Sequence, residues 1–283
     1  MREQAGPTSD GTRARLASDG FVVLPGVLTP DEVSELRHQV DLVLDAKGVD
    51  KAGGTVLPNA AAEAPILSWI FCHPGILAAV RSATGMDEMV FTMEADLHRN
   101  YLAAKWHKDT GEQMMADGYF GCDAIASPDC RVYKVALYLQ DHSPRIGSLH
   151  VRPGSITTPR LDQGNDVPLA VNAGDVVLFD VRITHRGVAP GAVDWALFGA
   201  AKLLSPRHPA PLAARLRRRR MRLAGRPDRM AVYFAFGMPN EQSRTFAQRN
   251  MKRQLSQLRG ASATLPTELV DSFQNSHIST VAI

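Results

Sequence analysis

Cysteine is scarce, long apolar runs are missing and no segment repeats, and each absence narrows what the chain can be. Cys72, Cys122 and Cys130 are the three cysteines of 283 residues. An odd number with no close pair suits neither a disulfide framework nor a thiolate metal site, and points to reduced thiols in a cytoplasmic protein. No stretch reaches the roughly eighteen apolar residues of a membrane span. Met1 to Gly11 is polar and lacks the apolar segment of a secretory signal. What is present, 45% apolar and 22% charged residues, is ordinary globular composition in a chain long enough for a large core.

The net charge of +3 is unevenly spread. Residues 191–226 hold nine Lys/Arg against one acid, Asp194, so the rest of the chain is acidic. Pro211 to Gly225 can form a helix with Leu212, Leu216 and Leu223 roughly on one face and Arg215 and Arg217 to Arg220 on the others. Such a helix suits an anionic surface, an acidic protein, or a phosphate- or carrier-linked substrate. A solvated charged face on an insertion is the plainer alternative. No aromatics interleave with the arginines and no recognition motif accompanies them, which argues against nucleic acid.

Along the chain, residues 1–16 read as a flexible lead. Gly20 to Leu24 reads as a short strand. Thr29-Pro30-Asp31-Glu32 carries a cap, a proline suited to the first helical position and a capping-box glutamate. Val33, Leu36, Val40 and Val43 then recur at helical spacing to about Ala46. Lys47 to Pro58 is glycine-rich and reads as a loop. Pro65 to Phe71 and Pro74 to Thr84 are helical pieces, with His73 at their boundary. From Glu88 the pattern turns β-rich. Lys134, Ala136 and Tyr138 alternate with Tyr133, Val135 and Leu137, Asp175 to Val181 forms an apolar strand, and Arg229 to Phe236 is the last strong one. Asn240 opens a polar helix to about Leu258, and residues 259–283 read as a weakly structured tail. Helices followed by many short strands predict an α+β protein with a mainly β core, as one domain over residues 17–258.

The chemistry gathers on Trp106-His107-Lys108-Asp109. A histidine and a carboxylate two residues apart on an extended strand face the same side and can grip one metal ion. His-x-Asp alone is a weak signal, because composition produces it by chance roughly as often as not. His185 ends the strand that begins at Asp175 and stands before a glycine turn. It either completes a two-histidine, one-carboxylate set, the arrangement typical of non-haem Fe(II), or is a strand-end histidine bonded to backbone. Arg229, heading the last strand, can hold a carboxylate through paired hydrogen bonds or is an exposed strand-entry charge. Lys134, mid-strand among apolar residues, either faces a pocket or sits on an edge. Thr110 to Asp129 is a lid over a pocket or an ordinary surface loop.

Several stretches in order resemble the phytanoyl-CoA dioxygenase family of Fe(II)/2-oxoglutarate-dependent oxygenases: Asp19 to Thr29, Trp106 to Asp109, Val135 to Leu139, Gly147-Ser148-Leu149, Arg152-Pro153-Gly154-Ser155, and Gly174 to Gly187. The resemblance implies a double-stranded β-helix (a cupin-like jelly roll) flanked by N-terminal and C-terminal helices. It implies His107, Asp109 and His185 as ligands of Fe(II), 2-oxoglutarate as co-substrate with its distal carboxylate on Arg229, and Asn100 as a polar residue helping to hold it. O₂ and a small-molecule substrate would complete the reaction, with succinate and CO₂ released. Asp109 itself implies oxygenation, because related halogenases lack that carboxylate, with desaturation, epimerisation or ring formation as alternative outcomes of the same oxidising chemistry. Two departures stand out. The family's arginine comes shortly after the second histidine, where this chain has Trp195 and Ala196, so residues 191–226 read as an insertion and Arg229 as resuming the pattern, with Arg226 and Arg186 as rivals. Ile156 stands where the family commonly has histidine, with packing rather than metal binding affected.

Overall fold

The structure is a computed structural model that describes residues 9–51, 53–109, 127, 129–142, 149–258, 260 and 262–281. The expected lead is helical over part of its length. Ser9–Asp19 forms α1, because Leu16 finds a place in the core. The strand β1 (Phe21–Leu24) follows. Helix α2 (Pro30–Lys47) starts with the expected capping box: Thr29 N donates to Glu32 Oε2 at 2.8 Å and Glu32 N to Thr29 Oγ1 at 3.3 Å. It buries Val33, Leu36, Val40 and Leu44.

Lys47 to Pro58 is not a loop. It holds the strands β2 (Val49–Lys51) and β3 (Gly54–Pro58). Gly54 has φ +149°, and a Cβ there would lie 2.3 Å from the Arg99 carbonyl oxygen. The glycine therefore permits close strand pairing, which its composition alone does not reveal. The short α3 (Ala60–Glu63) and α4 (Ser68–Phe71) lead to α5 (Pro74–Thr84). His73 caps α5 as a boundary residue: its Nδ1 accepts from Ile76 N at 3.3 Å and its Nε2 meets Glu32 Oε1 at 3.0 Å.

The β part comprises β4 (Met89–Arg99), β5 (Val132–Tyr138), β6 (His150–Arg152), β7 (Val167–Pro168), β8 (Val176–Asp180) and β9 (Thr184–Arg186). The segment read as an insertion is a helical hairpin, α6 (Ala192–Leu204) and α7 (Pro209–Leu223). Then come β10 (Met230–Gly237), α8 (Glu241–Gln257), α9 (Thr267–Asn275) and β11 (Ile278–Thr280). The expected weak tail is thus ordered, because Leu269, Phe273 and Ile278 are drawn into the core and β11 pairs along β4.

The large sheet runs β1-β8-β5-β10-β4-β3-β2 with antiparallel neighbours, and β11 adds to β4 in parallel. A small antiparallel sheet runs β7-β6-β9. Period-two alternation divides the large sheet's faces. Val135, Leu137, Val176, Leu178, Val232, Phe234, Ala95 and Leu97 join the helices in the main core. Ala136, Tyr138, Val177, Phe179 and Ala231 turn the other way and meet Leu149, Val151 and Ile183 beside the small sheet. Ile156 packs against this second cluster. A bulge in β4, where Met93 has φ +61°, shifts its register against β10 between Phe234 and Phe236. Among the described residues, no single helix is long and apolar enough to cross a membrane. The bent pair Pro65–Phe71 and Pro74–Thr84 passes on composition, but supplies core residues from Leu67 to Ala83.

Candidate metal centre and its cavity

His107 and His185 face each other across a two-residue antiparallel bridge. His107 N donates to His185 O and His185 N to His107 O, both at 2.9 Å. Residues paired in this way project their side chains to one side, and the two rings stand 4.3 Å apart. Asp109, two residues on, is held by its own N–H on Val181 O at 2.9 Å. Between the two ligand candidates, Lys108 points away and is fully buried, its Nζ donating to Ser155 O at 2.6 Å and Arg182 O at 2.5 Å. The stretch is therefore anchored from behind while its front carries His107 and Asp109.

One ligand atom each from His107, Asp109 and His185 lies within 4.8 Å of the others. His107 Nε2 is 3.8 Å from Asp109 Oδ1, and His185 Nε2 is 3.6 Å from Asp109 Oδ2. Each imidazole also meets a backbone carbonyl through Nδ1: His107 with Lys105 O at 2.8 Å and His185 with Ile183 O at 3.1 Å. A carbonyl only accepts, so the proton belongs on Nδ1 and the Nε2 lone pairs face Asp109. The backbone bond of His185 and its place in the three-member cluster are therefore compatible. Burial pushes the His185 pKa down to about 3, which keeps the ring neutral as a ligand must be.

Behind Asp109 stands Lys134. Its Nζ lies 2.6 Å from Asp109 Oδ2 and 2.8 Å from Glu94 Oε1, with its side chain only 9% exposed. β5 is a central strand, so the edge reading of Lys134 is excluded. Burial alone would raise the Asp109 carboxyl, but the Lys134 ammonium holds it well below the usual carboxylate range. Burial likewise opposes the charge on Lys134, and the two carboxylates override it and push its pKa up. Burial raises Glu94 despite Lys134.

A cavity of about 650 Å³ runs from these residues across the inner face of the large sheet. Ala231 keeps that floor low between Tyr138 and Tyr233, whose hydroxyls are hydrogen-bonded. Arg229 lines the same cavity. Its Nη2 reaches Tyr101 O at 3.4 Å, and no carboxylate among the described residues lies within ion-pair distance of it. Burial, with Arg217 nearby, pushes its pKa down to about 10, so it remains a cation at neutral pH. Its rivals are committed or remote. Arg186 pairs with Asp166 at 2.8 Å and lies over the Trp106 ring, while Arg226 is exposed and does not line the cavity.

Asn100, expected to help hold a co-substrate, is not among the residues that line the cavity. Its Nδ2 donates to Asp228 Oδ1 at 2.6 Å, its Oδ1 accepts from Arg229 N at 3.0 Å, and its φ is +57°. It fixes the chain that carries Arg229. The arginine tract also turns inward in part, contrary to a wholly solvated or ligand-facing helix. Arg217 is buried and donates to Asp194 at 2.9 Å, to Gly53 O at 3.1 Å and to Asn100 O. Arg218 reaches Asp41, Asp45 and Asp228. The stretch Thr110 to Asp129, expected as a lid or loop, lies outside the described residues except for 127 and 129.

Sequence reasoning missed the polar row Glu94, Asp96 and His98, all lining the cavity. The available signal was three polar residues at period two inside an apolar strand. Lys51 and Arg253 also line it and carried no local signal.

With this geometry, the comparisons with known proteins can be placed. No curated protein matches the sequence. Among solved structures, the fold resembles that of the non-haem alpha ketoglutarate dependent epimerase SnoN from nogalamycin biosynthesis, with TM-score 0.57 and 18% identity over 81% of this chain and 82% of that one. EctD from S. alaskensis, solved with bound Fe, gives TM-score 0.56 and 17% identity over 84% and 79%. The carbocyclase SnoK gives TM-score 0.55 and 18% identity over 94% and 98%. Identities this low bear on the fold alone. The sequence itself matches the family profile described as Phytanoyl-CoA dioxygenase (PhyH) over residues 16–189, which takes in His107, Asp109 and His185. The chain belongs to the phytanoyl-CoA dioxygenase family.

Proposed function

We propose that the protein is an Fe(II)- and 2-oxoglutarate-dependent oxygenase that hydroxylates a C–H bond of a small molecule, and that its two sheets form a double-stranded β-helix interrupted by the α6–α7 hairpin. One observation carries the reading: two imidazole nitrogens and a carboxylate converge at one end of a cavity whose wall also holds an arginine with no acid partner among the described residues. Two nitrogens and one oxygen fit Fe(II), filling one face of an octahedral ion and leaving three positions for other ligands. Structures of similar fold support it: SnoN was solved with Fe3+ and alpha ketoglutarate, and HygX from Streptomyces hygroscopicus with nickel and 2-oxoglutarate.

His107, Asp109 and His185 would hold the iron, and Arg229 the distal carboxylate of 2-oxoglutarate. When bound, the two supply oxidising power, so that O₂ converts 2-oxoglutarate to succinate and CO₂ while a substrate C–H bond is oxidised. The chain supplies orientation. The backbone carbonyls of Lys105 and Ile183 aim the two Nε2 atoms. Lys134 keeps Asp109 ionised and fixes one of its oxygens. Asn100 and Asp228 set the position of Arg229. Asp109 fills the position that a halide would need, which favours hydroxylation over halogenation.

Calorimetry on the metal-loaded protein tests this. 2-Oxoglutarate should bind, and Arg229→Gln should weaken it by about a hundredfold, the range of a buried charge-assisted pair, with metal affinity unchanged. A protein that binds metal but shows no 2-oxoglutarate binding refutes the proposal.

A further inference from the structure

The cavity extends past the metal centre and Arg229 into a second lobe over β2, β3 and β4. Lys51, Val56, Pro58, Asp96, His98, Arg253 and Gln257 line it. Nothing in the chemistry assigned so far uses these residues.

The charges in this lobe do not cancel. Asp96 is paired with Arg253 at 3.0 Å, and Arg253 Nε is further held by Asn250 Oδ1 at 3.0 Å. Glu94 is paired with Lys134 at 2.8 Å. The remaining oxygens, Glu94 Oε2 and Asp96 Oδ1, have almost no accessible surface, so a ligand in the lobe does not meet them. Lys51 is different. It is half-buried, its Nζ donates to the Gln257 side-chain carbonyl at 3.3 Å, and no carboxylate of the described residues is within ion-pair distance. A half-buried ammonium whose one hydrogen-bond partner is a neutral amide has donors to spare.

His98 stands beside it, on the β4 residue opposite Val56 of β3. No hydrogen bond to either ring nitrogen occurs among the described residues, and the ring is partly buried and lines the cavity between Tyr101 and Tyr233, each 4.9 Å away. A neutral imidazole offers one N–H and one acceptor. Apolar contact is supplied by Val56, Pro58 and the Tyr233 ring. β4, which carries His98, lies two strands from β5, which carries Lys134, about 10 Å across the sheet.

We propose that this lobe recognises the substrate, with Lys51 and the His98 N–H taking an anionic group, a carboxylate or phosphate, while the apolar body lies over Tyr233 toward Asp109. The proposal rests on the oxygenase reading of the same cavity. It moves anion recognition from the arginine tract to one lysine inside the pocket. It also sets a size: the oxidised carbon lies on the order of 10 Å from the anionic group, given the strand spacing.

The test uses the full-length protein loaded with Ni(II) and saturated with 2-oxoglutarate, so that no turnover occurs. It is titrated calorimetrically with 4-phenylbutyrate, phenyl phosphate and 4-phenylbutylamine. Both anions should bind and the amine should not, and whichever anion binds tighter identifies the natural group. Lys51→Gln should weaken the anions by about tenfold or more, Lys51→Arg should retain them, and 2-oxoglutarate affinity should be unchanged in both. If Lys51→Gln melts early, Lys51→Arg retention together with loss in His98→Ala carries the same decision. Tighter amine binding, no anion binding, or anion affinity that depends on Arg229 and not Lys51 overturns the proposal. Failure of 2-oxoglutarate to bind sinks the oxygenase reading instead, and the anion titration repeated without it still decides the role of Lys51.

Discussion

Lys134→Met removes the cation between two buried acids and leaves their space largely filled. In the wild type, Nζ is 2.6 Å from Asp109 and 2.8 Å from Glu94, and the three side chains are 9%, 14% and 4% exposed. Breaking a buried pair by removing one partner costs about 3–5 kcal/mol, because the remaining charge is stranded. Two pairs break here, but the costs do not add. Burial already raises Glu94 toward neutrality, so it takes up a proton and only Asp109 remains as a charge. The expected loss is therefore about 3–5 kcal/mol, or about 6–20 °C in melting temperature for a chain of this size. The metal should change the outcome. An ion bound at His107, Asp109 and His185 supplies the missing positive charge, so Ni(II) should raise the melting temperature of the variant more than that of the wild type. The deficit should also shrink on acidification, as fewer stranded carboxylates stay ionised. Differential scanning fluorimetry with and without Ni(II), at pH 5 and 7.5, measures all three effects. A metal-free variant melting with the wild type, or equal Ni(II) shifts in both, would refute the assigned role of Lys134.

Arg217→Ala removes the bonds to Asp194, Gly53 and Asn100 and should weaken 2-oxoglutarate binding by about tenfold at unchanged metal affinity, because Asn100 holds the chain that carries Arg229. Calorimetry reads the split, and loss of metal binding instead would contradict it. Ala231→Leu fills the cavity floor between Tyr138 and His98. 2-Oxoglutarate or substrate binding should fall sharply, while the stability cost stays within about 1–3 kcal/mol; unchanged binding of both would show that the floor is not used. Burial holds His98 down to about 4, against 6.5 ordinarily. Between those values the unfolded chain binds a proton that the folded chain does not, so stability rises with pH across that window and is lost on acidification. The share from His98 is about 1–2 kcal/mol after allowing for its partial exposure, and His98→Gln should flatten denaturation midpoints between pH 5 and 7. Equal slopes would refute it.

What was legible in the sequence was local. The capping box at Thr29 and Glu32, the alternation through Lys134, and the His-x-Asp spacing are all set within a few residues, and each has its expected form. What escaped depends on distant partners. Gly54 reads as a loop residue until Arg99 is opposite it. Arg217 belongs to a charge run until Asp194 and Asn100 close around it. Asn100 was expected from the family resemblance to help hold the co-substrate; its amide bonds Asp228 and the Arg229 main chain, over a hundred positions away. Arg229 stands far from His185 in sequence because the α6–α7 hairpin lies between β9 and β10, yet both strands contribute to one cavity wall.

The main-chain bridge between His107 and His185 has a practical consequence. The two positions are tied to each other by hydrogen bonds that neither imidazole makes, so exchanging a ligand side chain removes a donor and leaves the cradle standing. If iron is held there as proposed, the site is in this sense a socket: its donor set could be rewritten one atom at a time, toward a softer or more open site, while the main-chain bridge between the two positions stays in place.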